Sequence, residues 1–126
     1  MNTPLISSGY LLLSAAGLLV VALSYGVKPT VVLPRILKVT LFDRDLIHIF
    51  RAVMGLYMAS LSLWVVGAFV PSLMQTAMIA EVVFMGGLAA GRTLSLILDG
   101  RPSNVLIFYL IIETTLAAAG IFLLMN

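Results

Sequence analysis

AEVVFMGGLAAGRTLSLILDGRPS, residues 80–103, is apolar along most of its length yet carries Glu81, Arg92, Ser95 and Asp99. On a helix turning ~100° per residue, Arg92 lies about 20° round from Glu81. Ser95 lies about 40° away and Asp99 returns almost to the same line. Four polar groups therefore share one stripe of a greasy helix. Such a stripe cannot face hydrocarbon, so the spacing predicts that Glu81, Arg92, Ser95 and Asp99 are buried under other helices. Gly86, Gly87, Ala89, Ala90 and Gly91 fall between them, small enough to let neighbouring backbones approach closely.

The remainder of the chain has to supply that wrapping, and its composition says how. Of 126 residues, 62% are hydrophobic and 10% charged, with a mean hydropathy of +1.18. A soluble domain of this size needs a far more charged surface. The apolar runs reach the ~20 residues that cross a bilayer, which points to an integral membrane protein. Net charge is only +2, and the basic residues are clustered rather than spread over a face, which argues against nucleic acid as a partner. With no cysteine, disulfides, thiolate metal sites and a Cys nucleophile are excluded. The lone His has no companion ligand, so neither a metal site nor any other cofactor is expected. The first residues, MNTPLISSGYLLL, lack a basic leader and read as the start of a membrane helix, not as a cleaved signal.

The pattern predicts an all-α, antiparallel four-helix transmembrane bundle forming one domain over residues 1–126. The spans fall at about 5–25, 46–70, 73–98 and 104–124. In the first, Ser7, Ser14 and Tyr25 share a face, and Gly9 and Gly17 offer close packing. Residues 26–45 hold Lys28, Arg35, Lys38 and Arg44 among Val, Ile, Leu and Phe. Pro29 and Pro34 are expected to break regular structure there, leaving a segment that lies at the membrane interface, apolar side down and basic side to water. Asp43 or Asp45 is placed to cap the second span. His48, Arg51, Gly55 and Ser62 fall on one side of it, and Trp64 and Phe69 stand where an aromatic belt would be. Pro71 and Ser72 are read as a tight turn, and residues 99–103 carry turn chemistry throughout. The seven Met are scattered, as gap-fillers are.

All seven Lys and Arg lie in the connection between spans 1 and 2, in that between spans 3 and 4, or in the adjoining helix halves. The positive-inside rule places those connections in the cytoplasm and both termini outside.

Folding the chain as hairpins ranks the charges by depth. Arg51 stands twenty residues before Pro71, and Arg92 twenty after Ser72. Reflected about residues 101 and 102, Glu113 falls opposite position 90, ~3 Å along the axis from Arg92. Arg51, Arg92 and Glu113 thus share one layer, with Glu113 ~14 Å into a ~30 Å core. Either the arginines snorkel to the surface over a protonated Glu113, or the three form an interior ion cluster, as intramembrane charges usually do. His48 lies one turn from Arg51, at headgroup level. Glu81 matches the depth of Ser62, so a Glu–Ser hydrogen bond would satisfy it, with a proton-binding site as the bolder reading.

The words FRAVMGLY (residues 50–57) and GGLAAGRTLSLILDGRPS (residues 86–103), together with the mid-helix Glu113, resemble the bacterial four-helix membrane proteins grouped as domain of unknown function 4345 (DUF4345). The resemblance implies a four-span fold in the bacterial inner membrane and no established activity. No nucleophile–base pair or metal pattern indicates an enzyme. The expected role is a non-enzymatic lipid-binding or scaffold protein. Its candidate anion-binding residues are Arg51, Arg92 and Glu113, with His48, Arg35 and Lys38 nearby. Arg51 and Arg92 against Glu113 leave an excess of one positive charge in that layer, which an anionic lipid would answer, its tail along residues 86–91. A homo-oligomer or a membrane-protein partner is the other expected association. The alternative function is a small transporter or channel subunit using Glu81, Arg92 and Glu113.

Overall fold

The computed structural model describes residues 3–40 and 43–126, all of whose regular structure is helical. Leu41 and Phe42, inside the stretch expected at the interface, lie outside the described residues. Five helices follow one another: α1 (Thr3–Gly26), α2 (Pro29–Leu37), α3 (Arg44–Phe69), α4 (Pro71–Leu98) and α5 (Asn104–Met125). Four of them, α1, α3, α4 and α5, are long and apolar enough to cross a membrane. That is the pattern of a multi-pass membrane protein.

The turns follow local chemistry, with two departures from expectation. Pro29 and Pro34 do not break the chain, because Pro29 occupies the first helical position, where its missing N–H is no loss. Val31 and Val32 both donate to the Lys28 carbonyl across that start. Pro34 merely forgoes one bond inside α2. Lys38, at φ 55, ends the helix in the left-handed region. Likewise, Pro71 and Ser72 are not a turn but the first residues of α4. Val70 alone separates α3 from α4, in an extended conformation. Asp43 caps α3 by accepting from the Asp45 amide at 2.9 Å. Gly100, at φ 88, makes the turn out of α4.

Helix α1 buries Ser7, Tyr10, Leu11, Ser14, Ala15, Leu18, Ala22 and Tyr25, a single stripe at three- and four-residue spacing. It packs along α3. Ser8 donates to the Ala68 carbonyl at 2.8 Å, and Gly26 lies against Met54 so closely that a Cβ would collide. Similarly, Gly67 of α3 lets Ala77 of α4 come close. An aromatic chain runs through these three helices. Phe50 meets Tyr25 edge-on at 5.5 Å, Tyr25 meets Tyr57 at 6.0 Å, Tyr57 meets Phe84 at 5.2 Å, and Phe84 meets Trp64 at 5.3 Å. Trp64 has no exposed surface, so it is core and not belt. Between membrane helices such dispersion contacts and close approaches supply the association that water would supply elsewhere.

Helix α5 packs against α4, while α1 meets α4 and α5 only locally. Helix α2 touches α1, α3 and α5, burying Pro29 and Leu33 and leaving Arg35 and Lys38 exposed. The small residues expected to receive neighbouring backbones do not. Gly9, Gly17, Gly87 and Gly91 are exposed, and an added Cβ at any of them would meet nothing within 4 Å.

Candidate functional site

Two acids are buried, and each is met by a different kind of partner. Glu113, midway along α5, accepts from Arg92 Nε of α4 at 2.7 Å. The two side chains are 20% (Arg92) and 9% (Glu113) exposed. The Arg92 guanidinium also lies 5.5 Å from the centre of the Tyr109 ring, a cation–π contact of about 0.5–1 kcal/mol or more when desolvated. Tyr25 stands beside the guanidinium as a side-chain neighbour. The bond to Glu113 uses Nε and neither terminal nitrogen.

Glu81 has no cation. It is fully buried on α4, and its Oε2 is in hydrogen-bond contact with the Tyr10 hydroxyl of α1. That hydroxyl also reaches the Leu116 carbonyl of α5, at 2.8 Å. Gly120, one turn beyond Leu116, leaves the space the ring needs: a Cβ there would strike the Tyr10 hydroxyl and a Val82 methyl. Ser14, one turn along α1, neighbours the same carboxyl. Its Oγ and Glu81 Oε1 are buried without a hydrogen-bond partner.

Between these two acids, α1 and α5 part to leave a cleft of about 320 Å³. Gly17, Leu18, Val20 and Val21 form one wall, and Phe108, Ile112 and Leu116 the other. Met85 and Leu88 of α4 also line it. Ser14 and the Glu113 carboxyl are its polar lining, with Tyr57 and Tyr109. Val20 and Phe108 are well exposed, so the cleft opens sideways, out of the bundle.

Hairpin reflection thus brings Arg92 to Glu113 as expected, and misplaces the others. Arg51 is exposed and makes no hydrogen bond or ion pair among the described residues. The layer is therefore one Arg against one Glu, without the expected surplus charge. His48, Arg35 and Lys38 are exposed as well. Ser95 and Asp99 are not buried: Ser95 donates to Asp99 at 2.8 Å on an open face. Glu81 is not satisfied by Ser62, which turns back to the Met58 carbonyl of its own helix. Tyr10 escaped the sequence reading although a signal was present: with Ser7 and Ser14 it makes a polar stripe at three- and four-residue spacing. Among the described residues, no group of three His, Asp or Glu is placed to hold a metal ion.

A family model described as a domain of unknown function (DUF4345) matches residues 6–124, nearly the whole chain. No curated protein and no solved structure matches it.

Proposed function

The chain belongs to the DUF4345 family, and for this member we propose a non-enzymatic role: it holds a single-chain anionic amphiphile of the membrane, tail in the α1–α5 cleft and head on Arg92. The observation that carries this reading is the cleft itself. Its volume falls at the lower end of the ~300–1,000 Å³ typical of ligand pockets. Its walls are almost wholly apolar, and it opens sideways, where lipid chains would be. The tail thus lies between α1 and α5, not along residues 86–91. The head is met by the terminal nitrogens of Arg92, which the bond to Glu113 does not use and whose planar fork suits a phosphate or carboxylate. Arg35, on a helix that touches both α1 and α5, and Lys38, just past its end, add attraction of roughly 1 kcal/mol per basic residue toward an anionic leaflet. Arg51 contributes to the same basic belt from α3, with His48 one turn away.

In this reading the four spans run antiparallel. Contacts of Ser8 with Ala68 and of Gly26 with Met54 support that for α1 and α3, as do Arg92 with Glu113 and Val82 with Gly120 for α4 and α5. The charge bias then places both termini outside a bacterial inner membrane. With no native Cys, single cysteines at Ser72 and Asn126 should react with an impermeant thiol reagent in intact cells, and one at Pro102 should not. The opposite pattern reverses the orientation.

The ligand proposal is tested by melting the purified protein in defined lipids. An anionic lipid should stabilise the wild type more than a zwitterionic one. Both Arg92→Gln and Gly17→Phe, the second a cleft filler at a position with room for a side chain, should erase the difference. Equal stabilisation of the wild type by the two lipids overturns the proposal.

A further inference from the structure

The Tyr10 hydroxyl has one proton and faces two acceptors, Glu81 Oε2 and the Leu116 carbonyl oxygen. It can donate to only one of them. If Glu81 were a carboxylate, one of two things would follow. Either the hydroxyl serves the carboxylate and its oxygen sits against the Leu116 carbonyl with no hydrogen between, or it serves Leu116 and its oxygen sits against Glu81 Oε2 with no hydrogen between. A proton on Glu81 resolves both contacts: the carboxylic acid donates to Tyr10 Oη, and Tyr10 donates to Leu116.

The surroundings agree. Glu81 has no exposed surface. From α1 it is faced by Tyr10 and Ser14, and from α5 by the Leu116 backbone through Tyr10. The inward residues of α3 in this part of the bundle are Leu61, Trp64, Gly67 and Ala68, none of them ionisable. The nearest cation on its own helix is Arg92, eleven residues or ~16 Å along the axis, and that one is engaged by Glu113. An ion there would have no counterion, which is strongly unfavourable in a membrane interior.

We propose that Glu81 is a proton-binding site, and that its proton latches α1 to α5 through Tyr10. With the proton bound, Tyr10 is free to donate across to Leu116. When the proton leaves, the Tyr10 hydroxyl turns to the carboxylate and releases the Leu116 carbonyl. No covalent bond changes; one proton leaves, and one hydrogen bond moves from α5 to α4. Ser14 and Leu116 both line the cleft, so the latch sits at the cleft's edge. The proton acts on the seam that the cleft opens, and it does so whether or not the cleft holds an amphiphile.

Two signals from the protein in liposomes test this together. Infrared spectra at neutral pH should show a carboxylic-acid C=O band that shifts in D2O, moves in Tyr10→Phe, disappears in Glu81→Gln and survives in Glu113→Gln. Spin labels on cysteines at Gly17 and Ile112 should give a narrow distance distribution while the band is present, and a broader one above the pH at which it is lost. In Glu81→Gln the amide donates at every pH, so the distribution should stay narrow throughout. Should that variant fail to fold, the band shift in Tyr10→Phe makes the assignment. A wild type without the band, a band unmoved by Tyr10→Phe, a band that persists across the accessible pH range, or a distance that ignores its loss overturns the proposal.

Discussion

Glu113 and Glu81 pose the same physical problem on neighbouring helices and receive opposite answers. Glu113 keeps 9% of its side chain exposed, lines an open cleft and is met by an arginine that is itself 20% exposed. Glu81 is sealed, and among the described residues its hydrogen-bond partner is the Tyr10 hydroxyl. Where an arginine crosses to the acid, the bundle holds a pair of charges; where a hydroxyl crosses to it, the bundle holds a hydrogen-bonded network without a cation. The contrast shows that an acid in an apolar helix does not declare its role by its type. The role is set by what crosses from the next helix.

Removing the arginine is the hardest blow to this contrast. Arg92→Ala strands Glu113 and should lower stability by on the order of 3–5 kcal/mol, read as a drop in melting temperature in detergent. If the two residues act as a pair, Arg92→Leu with Glu113→Leu should recover much of the loss, whereas additive losses would mean they are not coupled. At the other acid, Tyr10→Phe removes the single hydroxyl that serves both Glu81 and Leu116. The penalty is that of leaving buried polar groups unmet, about 1–3 kcal/mol, and no charge is stranded. A loss as large as that of Arg92→Ala would erase the distinction between the two sites. Gly120→Ala attacks the dry network from behind, by driving a methyl into Tyr10 and Val82; overpacking of that kind costs ~1–3 kcal/mol. Smallest of all should be Ser95→Ala, on the open end of the same α4 stripe, at no more than ~0.5 kcal/mol. A larger effect would show that something covers that face in the membrane.

The four long apolar helices and the Arg92–Glu113 pair were legible from the residues because both depend on distance along the chain. Short connections make depth additive: counting outward from residues 101 and 102 places Glu113 beside Arg92. The same count gives no direction around the helix axis. Arg51 shares the expected depth but points outward with His48, Gly55 and Ser62, so equal depth brought no contact. Ser95 and Asp99 do lie on the line of Glu81, but a stripe is buried only where a neighbour lies over it, and beyond Arg92 none does. The partner of Glu81 comes from 71 residues away in sequence, across helices that share no hairpin. No reflection about a turn reaches it. The cleft was equally invisible, since a gap is a property of two helices that α3 and α4 hold apart, and no residue type marks it.

Trp64 carries a consequence of another kind. It is the only tryptophan in the chain, has no accessible surface, and stands 5.3 Å from Phe84 at the end of a ladder that includes Tyr57 and Tyr25. The molecule therefore holds its single strong fluorophore where three helices meet. Light absorbed by the neighbouring tyrosines drains toward that indole, and a quencher dissolved in lipid or in water has no path to it until those helices separate. Emission from the unlabelled protein reads the assembly of α1, α3 and α4 and is nearly blind to the bilayer outside.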